Sequence, residues 1–564
     1  MLETTTQEVP ARRVRVGLAW DRLLHVWQSG FLDTRPAQFG LAGFLLALCL
    51  GAIFAGPVVQ YVYAHDAFIF LDGGWRVLHG QRPQVDFSTN LGPMVYLFVA
   101  AGIAIGRHGG QALVIAQTLF GALIACLAYY LSVTRLPRIA AISVATTLVL
   151  LGLAPFNIGE SPWMLTYGMM YNRIGYALLG LILIESMAPA ASDRNPLRSE
   201  MLGGAVTGFV CSFLFFLKIT YCLVGVALVL LLLPYRQQVR QRFVGMGIAG
   251  LSFAVLVLGY LRFNVAAIVR ELRLAAGGKH MERLNPIGDA MTMVESTIAL
   301  VALGFLVAWI LSVVNRSHLL LSRPWAVFLA AFFGFALLIT NHQSGGQPLL
   351  ALVSILVASE VARWSQGAWE RREAGLTAPT VLTCIALCAP LIALLIPLSA
   401  AYILPIIEPV FRWQNETSEM RLASPAVSDF RSRDRSPRFD RDDNPIPGNY
   451  AIFVNEGLAL LTRYSSPGES IVSLEFSNPF SFSLQRDPPQ GGTTCLQYGV
   501  TFDHSHKLTP DQLFGNAELV MLPKVFSSPM LSDAIARDYM KPLLARFHVV
   551  ARSSNWTLFR RTGH

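Results

Sequence analysis

Charge is what this chain of 564 residues has least of: Asp, Glu, Lys and Arg together make up 14%. Soluble proteins carry about a quarter. With 53% hydrophobic residues, that shortage excludes an ordinary soluble domain and points to a polytopic membrane protein. Cysteine is also sparse. Of the seven, Cys49, Cys126, Cys211, Cys222, Cys384 and Cys388 fall inside apolar segments and only Cys495 in a polar one. Thiols so placed behave as small hydrophobes, and neither a disulfide framework nor a zinc-ligand spacing is present. The first 38 residues are polar and basic (Arg12, Arg13, Arg15, Arg22, Arg35). No cleavable signal peptide is expected, and the first span serves as the insertion signal. Internal repeats are absent. The formal net charge of +9 sits in short basic clusters between apolar runs, with no basic patch interleaved with base-stacking aromatics. Nucleic acid is therefore excluded as a partner.

What is present is a series of apolar runs. A bilayer core of ~30 Å needs about 20 apolar residues in a helix. Eleven runs qualify: 39–59, 111–131, 139–158, 174–190, 201–217, 219–234, 243–261, 296–314, 325–340, 349–362 and 378–403. The run 94–106 has thirteen residues after Gly92-Pro93, a length that suits a surface helix better than a span. Charge decides the matter. With 94–106 left out and the N-terminus in the cytoplasm, the loops SVTRLPR, ASDRNPLRSE, YRQQVRQR, NRSHLLLSRP and ARWSQGAWERREAG all fall inside and all hold Arg. The loop NHQSGGQP then falls outside and holds no Lys or Arg, as the positive-inside rule requires. The expected fold is a polytopic α-helical membrane protein of about eleven spans. It has interfacial helices in a first outer loop, 60–110, and a C-terminal periplasmic α/β domain.

The chain divides into a basic N-terminal segment (1–38), a membrane module (39–403), a mixed-charge, Pro-containing linker (404–448) and a soluble domain (449–564). In the last, NYAIFVNEGLALLTRY and MLSDAIARDYMKPLLARF read as helices, and SIVSLEF, ELVMLP and NWTLFRR as strands.

The polar residues that carry chemistry gather on the outer side. In the first loop Phe68, Leu71, Trp75 and Leu78 recur at helical spacing and form one apolar stripe of a helix lying in the membrane interface. Asp72 and Arg76, four apart on its other face, can pair. Asp66 stands at the lip of the first span, as that helix's N-cap or as a functional carboxylate. Asp86, in VDFST, suits a turn. The second outer loop, 155–177, holds two charged residues, Glu160 and Arg173, among Trp163, Tyr167, Tyr171 and Tyr176. An outward Arg at headgroup depth suits a phosphate. Lys218 is the only ionisable acid or base in 201–234. At such a depth it is either a snorkelling lysine or a functional one. The loop 263–293 carries Arg270, Arg273, Lys279, His280 and Arg283, and NHQSGGQP presents His342, Gln343 and Gln347. Asp503-His504-Ser505-His506 lacks a third ligand at metal spacing and reads as a surface loop.

The order Asp66, helix 68–79, Gly80-Gln81-Arg82-Pro83-Gln84-Val85-Asp86-Phe87, Gly92-Pro93, helix 94–106 resembles the first outer loop of the GT-C class of integral-membrane glycosyltransferases. The similarity is to the bacterial branch of protein O-mannosyltransferases and lipid A aminoarabinose or galacturonic acid transferases. Lys218 and Tyr171-Asn172-Arg173 match that family's middle-span lysine and second outer loop. Ala67 stands where Glu is common, and Gln84 where Tyr is usual. The resemblance implies inverting transfer of a sugar from a polyprenyl-phosphate donor to an envelope glycolipid, polysaccharide or protein, at the periplasmic face of the bacterial inner membrane. It implies Asp66 as general base with Glu160 beside it, and Arg173, Lys218, Arg270 and Arg273 around the phosphate. Asp86, Tyr171, Asn172, His342 and Gln343 are further substrate contacts. No metal ligands are assigned and no cofactor is certain, a divalent cation staying open. Two other readings remain: a transporter or flippase for a lipid-linked glycan, which would carry repeats and mid-membrane ion pairs, and a non-catalytic envelope assembly protein. Ionisable groups confined to one surface, as expected here, favour surface chemistry.

Overall fold

The computed structural model describes residues 32, 34–188, 196–233, 239–277, 324–341, 343, 345–370, 378–411, 420–440, 442 and 444–563. The run 296–314, His342, and Lys279, His280 and Arg283 lie outside the described residues.

Long apolar stretches fold as helices, because in lipid every backbone polar group must find its partner within the segment. The helices are α1 (Arg35–Ala55), α2 (Ala64–Leu78), α3 (Pro93–Gly106), α4 (Gly109–Arg135), α5 (Arg138–Leu153), α6 (Met170–Met187) and α7 (Pro196–Leu217). They continue with α8 (Ile219–Leu231), α9 (Val239–Tyr260), α10 (Val265–Gly277), α11 (Pro324–Thr340), α12 (Pro348–Glu370) and α13 (Ala378–Phe411). Among the described residues, five stretches are long and apolar enough to cross a membrane: Arg35–Ala55, Gly109–Arg135, Leu197–Leu217, Val239–Tyr260 and Leu387–Glu408. Helices α3, α5, α8 and α11 and the first half of α12 are shorter apolar segments. Small residues let α7 and α9 approach backbone to backbone: a Cβ at Gly204 would lie 2.0 Å from the Arg242 carbonyl oxygen, and one at Gly208 2.1 Å from that of Met246.

A buried ion cluster ties four helices together at the end of the bundle where α4 and α6 finish. Glu185 of α6 accepts from Arg242 Nε (3.0 Å) and Nη2 (2.6 Å) of α9, and from Thr207 Oγ1 of α7 (3.0 Å). Arg135 Nη2 of α4 lies 3.7 Å from its other oxygen. Ionisable groups are thus not confined to one surface. Glu185 comes twelve residues after Arg173 in α6, or ~18 Å along the helix. No sequence signal marked it, since each partner lies on a different helix.

Residues 420–440, expected as part of a linker, are packed against the opposite end. Strand β1 (Val59–Gln60) pairs in parallel with β3 (Arg431–Ser432), and β2 (Met420–Arg421) pairs antiparallel with β3. The Asp429 carboxylate accepts the amides of Gly110 (3.0 Å) and Gln111 (2.7 Å) in the first turn of α4, where the helix dipole favours an anion. A short hairpin, β4 (Arg438–Phe439) with β5 (Pro445–Ile446), leads into α14 (Tyr450–Tyr464) and a four-stranded sheet. Its strands are β6 (Ile471–Ser473), β7 (Leu519–Pro523), β8 (Phe547–Arg552) and β9 (Trp556–Arg561), in the order β6-β7-β9-β8. Strands β6 and β7 are parallel, and the other pairs antiparallel. The α/β character expected of the C-terminal region is present. Strand β8 was not anticipated, because FHVVAR directly follows a helix and continues its apolar pattern. Phe480, Trp556 and Phe453 stack where α14 meets the sheet.

Helix α2 is covered on both faces. Phe68 and Leu71 are buried, whereas Leu78 at the end of the expected stripe is exposed. Asp72 and Arg76 do pair (2.8 Å), but as buried groups rather than at a solvated face. The cause is the C-terminal region. Arg76 Nη1 donates to the carbonyls of Pro489 (2.9 Å) and Gly491 (2.8 Å), and Trp75 Nε1, expected at headgroup level, donates to that of Arg486 (2.8 Å).

Candidate functional site

Two helix starts meet beside the β1–β3 pairing. Helix α2 begins after Tyr63 and α6 after Met169, and both residues hold left-handed backbone, with φ 54° and 50°. Such conformations are uncommon for residues with a Cβ, cost of order 1–3 kcal/mol, and cluster at functional sites. Asp66 sits in the first turn of α2, three residues past its N-cap, and is not the cap itself. Its carboxylate accepts the backbone N–H of Met169. Gly168 leaves room there, since a Cβ on it would lie 3.2 Å from Asp66 Oδ2.

Asp66 is 6% exposed. Burial raises its carboxyl from 3.8 to about 7, the Met169 amide opposes the shift, and the charge of Asp434 adds to it. A carboxylate at that value exchanges protons near neutral pH, as a general base requires. His65 Nε2 lies 3.3 Å from Asp66 Oδ1. Burial lowers the imidazole to about 4, against the pull of Asp434, so the ring is neutral beside the acid. Its ring packs on Phe476 at a centroid distance of 4.5 Å.

Glu160 is reached through Tyr63, whose hydroxyl donates to its Oε1 at 3.0 Å. Glu160 and Arg173 line one narrow cleft together with Asn157, Ile158, Met169, Asn172 and Gln343. Met169 therefore joins the cleft to Asp66. Arg173 is 1% exposed. Its Nη1 donates to the Phe156 carbonyl, while Nε and Nη2 have no hydrogen-bond partner among the described residues. Asn172 Oδ1 accepts from the Tyr221 hydroxyl (3.2 Å), and its Nδ2 is likewise without a partner. Three buried N–H-bearing atoms are thus open to an anionic or hydroxyl-rich ligand, in a setting where an unpaired polar group is costly.

Gln343 arrives from the segment between α11 and α12, and accepts from the Tyr176 hydroxyl at 2.9 Å. Glycine permits the approach: Gly159 has φ +90°, and a Cβ on it would lie 2.3 Å from the Gly345 nitrogen. Lys218 fills the one-residue break between α7 and α8, and its ammonium lies 4.5 Å from the centre of the Tyr171 ring. The Gly92 amide donates to the Leu217 carbonyl (3.0 Å), tying that break to the first loop.

The remaining candidates stand apart. Asp86 is spent on Arg82, accepting its Nε (2.8 Å), Nη2 (2.9 Å) and backbone amide (2.7 Å). Despite partial burial, these bonds hold it below the usual carboxylate range. Arg270 and Arg273 are exposed on α10, and Arg270 donates to the Gln84 carbonyl (3.1 Å) and to Glu271 (3.0 Å). Sequence reasoning missed Tyr63, His65, Met169, Glu271 and Asp434. Glu271 is buried and accepts from Ser88 Oγ (2.6 Å) and the Thr89 amide (3.2 Å), which docks α10 on the first loop. Among the described residues no group of three His, Cys, Asp or Glu is placed to hold a metal ion.

No protein-family model and no curated protein matches the chain. Solved structures similar to it include two of one protein. ArnT from Cupriavidus metallidurans in the apo state is 12% identical, with 93% of this chain and 98% of that one covered and a TM-score of 0.34. The same protein bound to undecaprenyl phosphate is 11% identical, with 93% and 97% covered and a TM-score of 0.35.

Proposed function

We propose that the chain is an inverting glycosyltransferase of the GT-C type. It moves a sugar from a polyprenyl-phosphate donor to a hydroxyl of an envelope acceptor, at the periplasmic face of the inner membrane. In this reading the chain spans the membrane eleven times, with α3 along the surface, the N-terminus cytoplasmic and the C-terminal region periplasmic. The observation that carries the proposal is one wall, built on Met169, with a buried carboxylate poised near neutral pH on one side and a buried guanidinium with open N–H groups on the other.

Each residue then has a task. Asp66 takes the proton from the acceptor hydroxyl as its oxygen attacks the anomeric carbon. The bond from that carbon to the phosphate oxygen breaks, and the electron pair leaves with the polyprenyl phosphate. Negative charge grows on the leaving group, where Arg173 and Lys218 stabilise it more than in the ground state. Glu160, held by Tyr63, orients the acceptor, and Asn172, Tyr171 and Gln343 line the sugar's path. Arg270 and Arg273, exposed on α10 and apart from this wall, act only as a long-range positive field for the phosphate.

Complementation of a deletion strain tests the proposal, with glycolipids and envelope polysaccharides read by mass spectrometry. Asp66→Asn should leave expression intact and remove the modified species, a loss of ~10²–10⁴-fold in rate. Full complementation by this variant would take Asp66 out of the role.

A further inference from the structure

Asp434 belongs to the mixed-charge run that follows the membrane module, 370 residues from Ala64, yet it grips the turn that carries Asp66. Its Oδ2 accepts the Ala64 backbone N–H at 2.9 Å, in the first turn of α2. Its Oδ1 is fixed by the Ser436 amide (2.9 Å) and hydroxyl (2.5 Å), and its own amide donates to Ser432 Oγ (3.1 Å). The carboxylate is 2% exposed. The β1–β3 pairing anchors the same run two residues earlier, through Gln60 and Ser432. A second contact comes from further along the C-terminal region, where Ser477 Oγ donates to the His65 carbonyl at 2.9 Å. A carboxylate bound at a helix N-terminus, on the helix that bears another carboxylate, acts in two ways. It fixes the backbone, and it repels the second negative charge.

We infer that Asp434 is a positioning residue for Asp66: it holds the first turn of α2 in place and sets the electrostatic surroundings in which Asp66 accepts a proton. This rests on the reading of Asp66 as the base. The other titratable groups facing Asp66 are His65 on its own helix, Tyr63 at the N-cap, Tyr171 on α6 and Cys495 of the C-terminal region. Glu160 acts through Tyr63, Lys218 lies over Tyr171, and Arg438 acts on His65. Among the described residues, Asp434 is the acid whose charge adds to the burial of Asp66 in raising its carboxyl.

The test uses the full chain in nanodiscs and needs no substrate. Dicyclohexylcarbodiimide reacts with protonated buried carboxyls, so labelling of Asp66, mapped by mass spectrometry against pH, reports its titration. The wild-type midpoint is expected at about 7. Asp434→Asn keeps an oxygen for the Ala64 N–H but removes the charge, and the midpoint should fall by ~0.5 unit or more. Asp434→Ala removes both. The midpoint should fall and hydrogen exchange across 61–68 should rise by ~10-fold. Ser477→Ala, which changes no charge, should leave the midpoint in place. An unmoved midpoint in both Asp434 variants overturns the electrostatic role, and unchanged exchange in Asp434→Ala overturns the positioning role. Should Asp434→Ala fail to fold, Asp434→Asn still decides the first question, and exchange in Asp434→Glu, which moves the carboxylate by one methylene, decides the second. Neither readout depends on sugar transfer, so failure of Asp66 as the base would leave these results standing.

Discussion

The two ends of α6 handle buried charge in opposite ways. At its finish Glu185 meets Arg242 at 2.6 Å and Arg135 at 3.7 Å, with Thr207 completing the shell. At its start Arg173 is as deeply buried, yet among the described residues it meets one carbonyl and no carboxylate. Burying a charge costs several kcal/mol unless it is paired. The first end recovers much of that cost within the fold by pairing with a carboxylate, although Arg242 Nη1 there also has no hydrogen-bond partner among the described residues. In the function proposed above, the second leaves that cost for a ligand to recover, and this is what distinguishes the proposed binding site from a structural cluster.

Substitutions can break this comparison. The largest effect on the fold is expected from Glu185→Gln, which takes the buried carboxylate away from Arg242 and Arg135 and should cost ~3–5 kcal/mol of stability, seen as a lowered Tm in detergent. An unchanged Tm would place Glu185 outside the structural role. Arg173→Gln should do the reverse. It removes an uncompensated charge, so the Tm holds or rises, while binding of polyprenyl phosphate weakens by ~10–100-fold in a thermal-shift titration. A fall in Tm with unchanged binding would make Arg173 a second Glu185-like element.

A smaller, graded effect concerns pH. Asp66 must be ionised to accept a proton, so the transfer rate should climb as pH passes about 7. The stability sign is the opposite. The folded chain holds this proton more tightly than the unfolded one, so the group's contribution is full below 3.8 and is lost as pH rises through about 7. A rate flat between roughly pH 6 and 8 would contradict the assignment.

Much of the site was legible because polar residues in so apolar a chain are conspicuous. Asp66, Glu160, Arg173 and Lys218 each interrupt or border an apolar run. Asn172 lies beside Arg173 at the start of α6, and Gln343 in the segment between α11 and α12. What was illegible involved partners from distant segments. Tyr63 and Met169 carry no compositional mark, and their left-handed backbone follows from the junction they form. Glu185 lies inside the apolar run 174–190, where the sequence shows no partner for it. The run 430–448 looked like a linker because it is charged and contains proline. Of its described aspartates one is buried, Asp434 at Ala64, while Asp440 is half-buried and Asp442 exposed, and Asp429, just ahead of the run, caps α4.

By itself the sequence determined the helices and the side chains able to carry charge, since hydropathy and residue chemistry act locally along the chain. Tertiary structure alone decided which charges are neutralised and which are left open. That depends on what stands opposite a buried group, and the groups opposite Asp66 and Glu185 come from other helices and from a segment hundreds of residues away.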